Sequence, residues 1–229
     1  MILYTGLLVN EPLFTKKIRK TNMSNPWEKV SLSIYESHMK LDNVKQLQTL
    51  NEIMRGQLNN FPVETICILG VAGGNGLEHI NPEKIQKAYG VDVNENYLSA
   101  CAERYPELKN TLTLLNLDLG AANTTLPDSE LVVANLLIEY IGLPAFTRLL
   151  NNDKIHYVSC VIQKNRGCDF VSESPYLDKL QDVASIHLDI EENTLEASMR
   201  AAGFGGIGQE STTLPNGKQF IRMDFQRGA

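Results

Sequence analysis

No run of about 18 consecutive apolar residues occurs in the chain, so no helix is expected to span a membrane. Cysteine is scarce: Cys67, Cys101, Cys160 and Cys168 are the four present, and none forms CxxC. They read as free thiols in a reducing compartment, which implies a cytoplasmic location. There is no HExxH and no Cys/His cluster at zinc spacing, so no metal site is expected. No GxSxG elbow is present to carry a serine nucleophile. Excess positive charge is lacking too. The net charge is -6, whereas binding a long nucleic acid needs a basic stripe. The cluster Lys16, Lys17, Arg19, Lys20 is too short to supply one and reads as a solvated segment. Met1 to Val9 is apolar but lacks a basic n-region and a small-residue cleavage site, so no secretory signal is expected.

What is present fits a globular protein. The chain has 229 residues, 43% hydrophobic and 21% charged, enough for one large α/β domain with a full core. Its most informative stretch is Ile66-Cys67-Ile68-Leu69-Gly70-Val71-Ala72-Gly73-Gly74-Asn75-Gly76. An apolar, β-branched run ends in a loop of small residues, the pattern of a buried strand entering a turn. Glycine admits positive φ and lets a ligand approach bare backbone. At the carboxyl end of the first strand of an open α/β sheet, such a loop meets nucleotide-like cofactors.

Residues 1–25 show no period and read as an extended arm. Residues 26–60 read as helical, with Val44, Leu47, Leu50, Met54 and Leu58 forming an apolar stripe and Asp42 a candidate N-cap. Strands and helices then alternate. Strands are expected at Thr65–Val71, Ala88–Val93, Leu112–Leu117, Leu131–Ala134 and Ile155–Ile162. Helices are expected from Gly76 to about Asn81-Pro82, over Glu95–Tyr105, over Leu143–Leu150 with Pro144 in its first turn, near Tyr176–Leu180, and over Thr194–Ala202 closed by Gly203. His79 reads as a helix-face residue, and His156 and His187 as strand-end residues. Phe204–Thr213 and Lys218–Gln226 flank Asn216-Gly217 and read as an antiparallel hairpin.

Neither register of the glycine loop gives GxGxxG: from Gly70 the later positions are Ala72 and Asn75, and from Gly74 the last is His79. A P-loop would need Lys followed by Ser or Thr where Leu77-Glu78 stands, and Glu78 would repel phosphate. The loop therefore suits a nucleoside without a pyrophosphate. Asp92, in Val91-Asp92-Val93-Asn94 at the end of the second strand, can accept both hydroxyls of a ribose. It follows Gly70 by 22 residues, near the spacing of about 20 for a ribose-binding acid. Asp118, followed by Leu119 past the third strand, can accept from an adenine amino group. Ala134-Asn135-Leu136 after the fourth strand would lie opposite the glycine loop. Each signal alone has a plainer reading, as a tight turn, a helix cap or a loop aspartate. Their order along successive strand tips carries the weight.

Together these residues resemble the class I S-adenosylmethionine-dependent methyltransferases, over roughly residues 60–227. The resemblance implies a Rossmann-like, doubly wound α/β fold: a mostly parallel seven-stranded sheet closed by a C-terminal antiparallel hairpin. It implies that Gly70, Val71, Ala72, Gly73, Gly74, Asn75 and Gly76 approach the methionine part of the cofactor. Asp92 with Val93 and Asn94 would hold the ribose, and Asp118 with Leu119 the adenine. Asn135 and Leu136 would floor the site. Two departures stand out. Gly70 and Ala72 replace an acid and a glycine common in the family, leaving Glu139 to partner the cofactor ammonium. The Asp/Asn-Pro-Pro-Tyr motif used on planar amino groups is missing, since Asn135 precedes Leu136-Leu137.

The expected organisation is an N-terminal arm and helical lid over residues 1–60, then a cofactor-binding domain over 61–229 with a substrate-side insertion at 163–191. The expected activity is methyl transfer from S-adenosylmethionine to a small molecule. Candidates for a general base are Glu139, Tyr140, His38 and Tyr35. The rival readings are a noncatalytic binder of the cofactor or its demethylated product, a nicotinamide-dependent oxidoreductase, and a plain interaction module. Neither the acceptor nor the oligomeric state is written in the sequence.

Overall fold

Five short aliphatic runs form parallel strands: β1 (Thr65–Leu69), β2 (Lys87–Asp92), β3 (Leu112–Asn116), β4 (Leu131–Asn135) and β5 (Tyr157–Lys164). Two more, β6 (Phe204–Thr213) and β7 (Gln219–Arg227), pair antiparallel, with β7 alongside β5. The structure is a computed structural model and describes residues 25–165, 167 and 170–228. The expected arm up to residue 24, its basic cluster and Cys168 lie outside those residues. Among the described residues the seven strands form one sheet in the order β3-β2-β1-β4-β5-β7-β6. The chain steps outward from β1 to β3 and then returns to β4 beside β1. That reversal opens a crevice at the carboxyl ends of the strands.

Alternation along the strands feeds two cores. Cys67 and Leu69 of β1, with Val132 and Ala134 of β4, face one core. It is covered by Phe146 and Leu149 of α4 (Ile138–Leu149) and by Leu195 and Met199 of α6 (Glu192–Ala201). Ile66, Ile68, Leu131 and Val133 face the other. There Met54 and Leu58 of α2 (Gln46–Asn59) and Leu98 and Cys101 of α3 (Glu95–Arg104) close over them. Helices on both faces make the fold doubly wound. Two smaller helices, α1 (Leu32–Met39) and α5 (Leu177–Ala184), sit at the crevice end. Among the described residues no helix is long and apolar enough to cross a membrane. Cys67, Cys101 and Cys160 are free and buried.

Several local expectations are corrected. The helix expected from Gly76 is only a 3-10 turn, Leu77–His79. Gly70, Ala72, Gly74 and Gly76 all have positive φ, and Pro82 biases Asn81 away from the helical region, so too few residues remain for an α-helix. α2 packs on this connection instead. A Cβ on Gly76 would lie 2.6 Å from Met54 Cγ. Asp42 does not cap α2; Lys45 occupies that place at φ 50 with no side-chain cap. Val44, on the expected stripe, is buried but precedes the helix. β1 ends at Leu69 because Gly70 turns to φ 69. The helix expected at Leu143 begins at Ile138 and breaks at Gly142 (φ 75, ψ 158), which places Pro144 in the first turn of its second half. β5 begins two residues later than expected. His79 sits in the 3-10 turn and bonds Asn51 Oδ1 through Nε2 at 2.8 Å. His187 lies in irregular chain after α5, not on a strand.

Candidate functional site

The tips of β1, β2, β3 and β4 open onto one cavity with about 1100 Å³ of space, the open solvent at its mouth included. That is room for a nucleoside and a small second molecule. Of the residues picked from the sequence as cofactor-binding, Gly70, Ala72, Asp92, Val93, Asp118, Leu119, Asn135 and Leu136 line it. Parallel strands running into the switch point bring them together, although they span 67 positions of chain.

Asp92 is nearly inaccessible and organises the loop. Its Oδ2 accepts the Ala72 N–H at 2.9 Å, and its Oδ1 accepts the Asn94 N–H at 2.9 Å. Each oxygen keeps a lone pair for an outside donor. Burial raises the carboxyl above its ordinary range, against the opposing pull of the Asn94, Ala72 and Val93 backbone N–H groups. Ala72 is held at φ 47 and Leu136 at φ 54, two of three described non-glycine residues with positive φ. Such backbone is costly and clusters at binding sites. Leu136 is tied there by its N–H to Val161 O at 2.9 Å. Asp118 is exposed at the rim, with Oδ1 accepting the Gly120 N–H at 2.9 Å.

The remaining picks lie elsewhere. Val71, Gly73 and Asn75 border a smaller hollow between the loop, α1 and α2. Asn75 anchors α2 through Leu47 O (2.9 Å) and Asn51 Nδ2 (3.1 Å). Gly74 packs on protein: a Cβ there would lie 2.6 Å from Tyr105 Cε2. Gly76 makes room for Met54. Asn94 caps α3 and donates to Trp27 O at 2.8 Å, tying the N-terminal segment to the end of β2.

The far wall comes from segments distant in sequence. Trp27, Tyr35, His38 and Gln46 enter from the N-terminal side, Tyr140 from α4, and Phe170, Leu180 and Val183 from the stretch after β5. Trp27 meets Tyr35 and Tyr140 edge to face, with centroids 5.5 and 4.9 Å apart. α1 is latched down by Glu36, which takes a two-pronged bond from Arg104 of α3, while Arg104 Nη1 also donates to Gly73 O at 3.2 Å. His38 bonds Ser174 Oγ through Nδ1 at 2.8 Å. Burial and, secondarily, the Lys218 ammonium lower its pKa. Burial likewise raises the Tyr35 and Tyr140 hydroxyls far above their usual range. Glu139 is not part of the lining. It is 1% exposed, accepts the Gln163 N–H at 2.8 Å through Oε1, and leaves Oε2 unpartnered. Burial pushes its carboxyl up to about 7.

Some residues at the site went unread in the sequence. Gln57 is fully buried and exchanges two bonds with Asn135, at 2.9 and 2.8 Å, fixing that amide; it also donates to Ser159 Oγ at 2.9 Å. Gln46 donates to Gln163 Oε1 at 2.5 Å. The signal was available: Gln46 and Gln57 sit on the apolar stripe of α2, and Gln163 follows a run of buried strand residues.

Solved structures share this architecture. Magnesium protoporphyrin IX methyltransferase (ChlM) from Synechocystis PCC 6803, with bound SAM, superposes with a TM-score of 0.58 over 89% of this chain and 90% of that one, at 12% identity. The N-methyltransferase NodS from Bradyrhizobium japonicum WM9, in complex with S-adenosyl-L-homocysteine, gives 0.60 over 86% and 97%, at 11% identity. The fold is that of the class I S-adenosylmethionine-dependent methyltransferases. The cyclase SpnF has it as well, with a TM-score of 0.57 over 81% of this chain and 83% of that one, at 10% identity. No protein-family model and no curated protein matches the sequence. On the methyltransferase fold the cavity occupies the strand-tip crevice, and its walls differ from chain to chain because loops and additions supply them.

Proposed function

We propose that the protein binds S-adenosylmethionine and transfers its methyl group to a small-molecule acceptor. The observation that carries this is the convergence of Ala72, Asp92, Asp118 and Asn135 on one cavity at the switch point of a methyltransferase fold. The donor set fits the cofactor. Asp92 has a free lone pair on each oxygen for ribose hydroxyls. Asp118 sits one strand over, within the same cavity, for the adenine edge. Gly70 and Ala72 put small residues on the cavity wall beside them. The neighbours crystallised with SAM or its demethylated product support the same choice.

The bound sulfonium supplies an electrophilic methyl and its own leaving group. The chain then has to align an acceptor and exclude water, and alignment can contribute about 7–11 kcal/mol. Trp27, Tyr35 and Tyr140 close the far side. His38 takes the acceptor proton where one must leave: it is kept neutral by burial, and Ser174 fixes its ring through Nδ1. Tyr35 and His38 on one side and Leu180 and Val183 on the other support a lid drawn from the described part of residues 1–60 and an acceptor-side insertion at 163–191. The buried free thiols support a reducing, cytoplasmic setting.

Calorimetry with S-adenosylmethionine and with NAD tests the cofactor, and a labelled-methyl assay against metabolite extract tests turnover. Asp92→Ala should weaken cofactor binding by about 1.5–3 kcal/mol, the worth of hydrogen bonds to a charged group. Unchanged affinity in that variant, or preferential NAD binding, refutes the assignment. Tight binding with no labelled product from any extract would favour the noncatalytic binder.

A further inference from the structure

The cavity is chemically two-sided. Its charged lining residues, among those described, are Asp92 and Asp118, and both belong to the cofactor end. The wall beyond them is aromatic and aliphatic, with Trp27, Tyr140, Val171, Leu180, Val183 and Ile186 on it. Among the described residues no lysine or arginine lines it; the Lys218 ammonium, which acts on His38, donates to Phe170 O. An anionic acceptor would leave water for a wall whose one nearby described cation, Lys218, is buried and already hydrogen-bonded, which is unfavourable. Aromatic faces can hold a cation instead, but here the rings pack on one another. Phe170 stacks on His187 with centroids 3.4 Å apart, Tyr35 stacks on Tyr97 at 6.4 Å, and Trp27 meets its two tyrosines at 89° and 88°.

Two polar groups interrupt the apolar wall. His38 spends Nδ1 on Ser174, and Gln46 spends Nε2 on Gln163. His38 Nε2 and Gln46 Oε1 have no hydrogen-bond partner among the described residues. A neutral ligand with one hydroxyl or N–H could satisfy either of them while its body covers the aromatic wall.

We propose that the acceptor is an uncharged, largely apolar small molecule, held against Trp27 and Tyr140 with a single polar group turned toward His38 and Gln46. This rests on the methyl-transfer reading of the cavity. Trp27 is the chain's one tryptophan, so its fluorescence reports occupancy of this wall directly. Binding of S-adenosylhomocysteine is first measured by calorimetry. With that nucleoside at saturation, the protein is titrated with 4-nitrobenzyl alcohol, 4-nitrobenzoate and 4-nitrobenzylammonium, three quenchers of one shape and different charge. The alcohol should bind at least tenfold more tightly than either ion. Ile186→Lys, a substitution at a partly exposed lining position, should strengthen benzoate binding severalfold and weaken the ammonium.

Tighter or equal binding of an ion to the unaltered protein overturns the acceptor class and leaves the cofactor reading standing. Absence of quenching by the alcohol up to its solubility does the same. Failure of S-adenosylhomocysteine to bind overturns both.

Discussion

Replacing Glu139 by Gln gives a sharp test of how burial controls charge beside the cavity. The carboxyl is 1% exposed, and its pKa rises from 4.5 to about 7 through desolvation. Below pH 4.5 the group is protonated in folded and unfolded chains alike and has no effect on stability. Between 4.5 and about 7 the unfolded chain releases its proton while the folded chain keeps it, so stability falls as pH rises. Roughly two and a half pH units at 1.36 kcal/mol each amounts to about 3 kcal/mol lost by pH 8. Gln cannot ionise, and its carbonyl can still accept the Gln163 N–H. Its amide NH₂ would stand where Oε2 now has no partner, a penalty of about 1–3 kcal/mol that does not vary with pH. Urea unfolding at pH 5, 6, 7 and 8 should therefore show the variant less stable than the parent at pH 5 and gaining about 2.5 kcal/mol relative to it by pH 8. Burial also raises the Asp92 carboxyl and lowers His38 and His187. Comparing the two proteins at each pH removes those shared contributions. A stability difference that stays constant from pH 5 to pH 8 would refute the claim that Glu139 is held protonated by its surroundings.

Further outcomes follow from the packing around the site. Gln57→Leu strands the Asn135 amide and should cost about 1–3 kcal/mol in urea unfolding; a neutral result would mean that water replaces the lost bonds. Gly76→Ala combines a left-handed backbone, φ 91, with a Cβ 2.6 Å from Met54 Cγ, and should lower stability by about 2–4 kcal/mol, read as a fall in Tm. Arg104→Ala removes the latch on α1. Because Arg104 is partly exposed, the global cost should stay under about 1 kcal/mol, while trypsin cleavage at Lys29 and Lys40 should speed up severalfold. An unchanged cleavage rate would show that the aromatic contacts of Trp27 and Tyr35 hold the lid without the ion pair.

The strand tips were the legible part of the site. Gly70, Asp92 and Asp118 each announce themselves locally, through a small-residue loop or an acid closing an apolar run, and parallel topology gathers such positions without further information. The glycines divided in a way the sequence could not show. Gly70 borders the cavity, whereas Gly74 and Gly76 admit Tyr105 and Met54, side chains from the residue that follows α3 and from α2. The missing helix after Gly76 is related: α2 packs on that connection, which sends Leu77, Ile80 and Ile85 into the core without a helix of its own. Glu139 looked like a cavity group from its position after β4, yet the turn into α4 directs it behind the lining.

Hydrophobic alternation, turn residues and the order of elements determined the doubly wound sheet, its closing hairpin and the edge on which a ligand would sit. These properties depend on neighbours within a few residues, which a sequence displays directly. The tertiary structure decided the walls of the cavity, the pairing of Gln57 with Asn135, and which carboxyl lost its water. Each of those depends on groups tens of residues apart meeting in a space from which solvent is excluded, and desolvation is a property of the assembled surroundings rather than of any residue or its spacing.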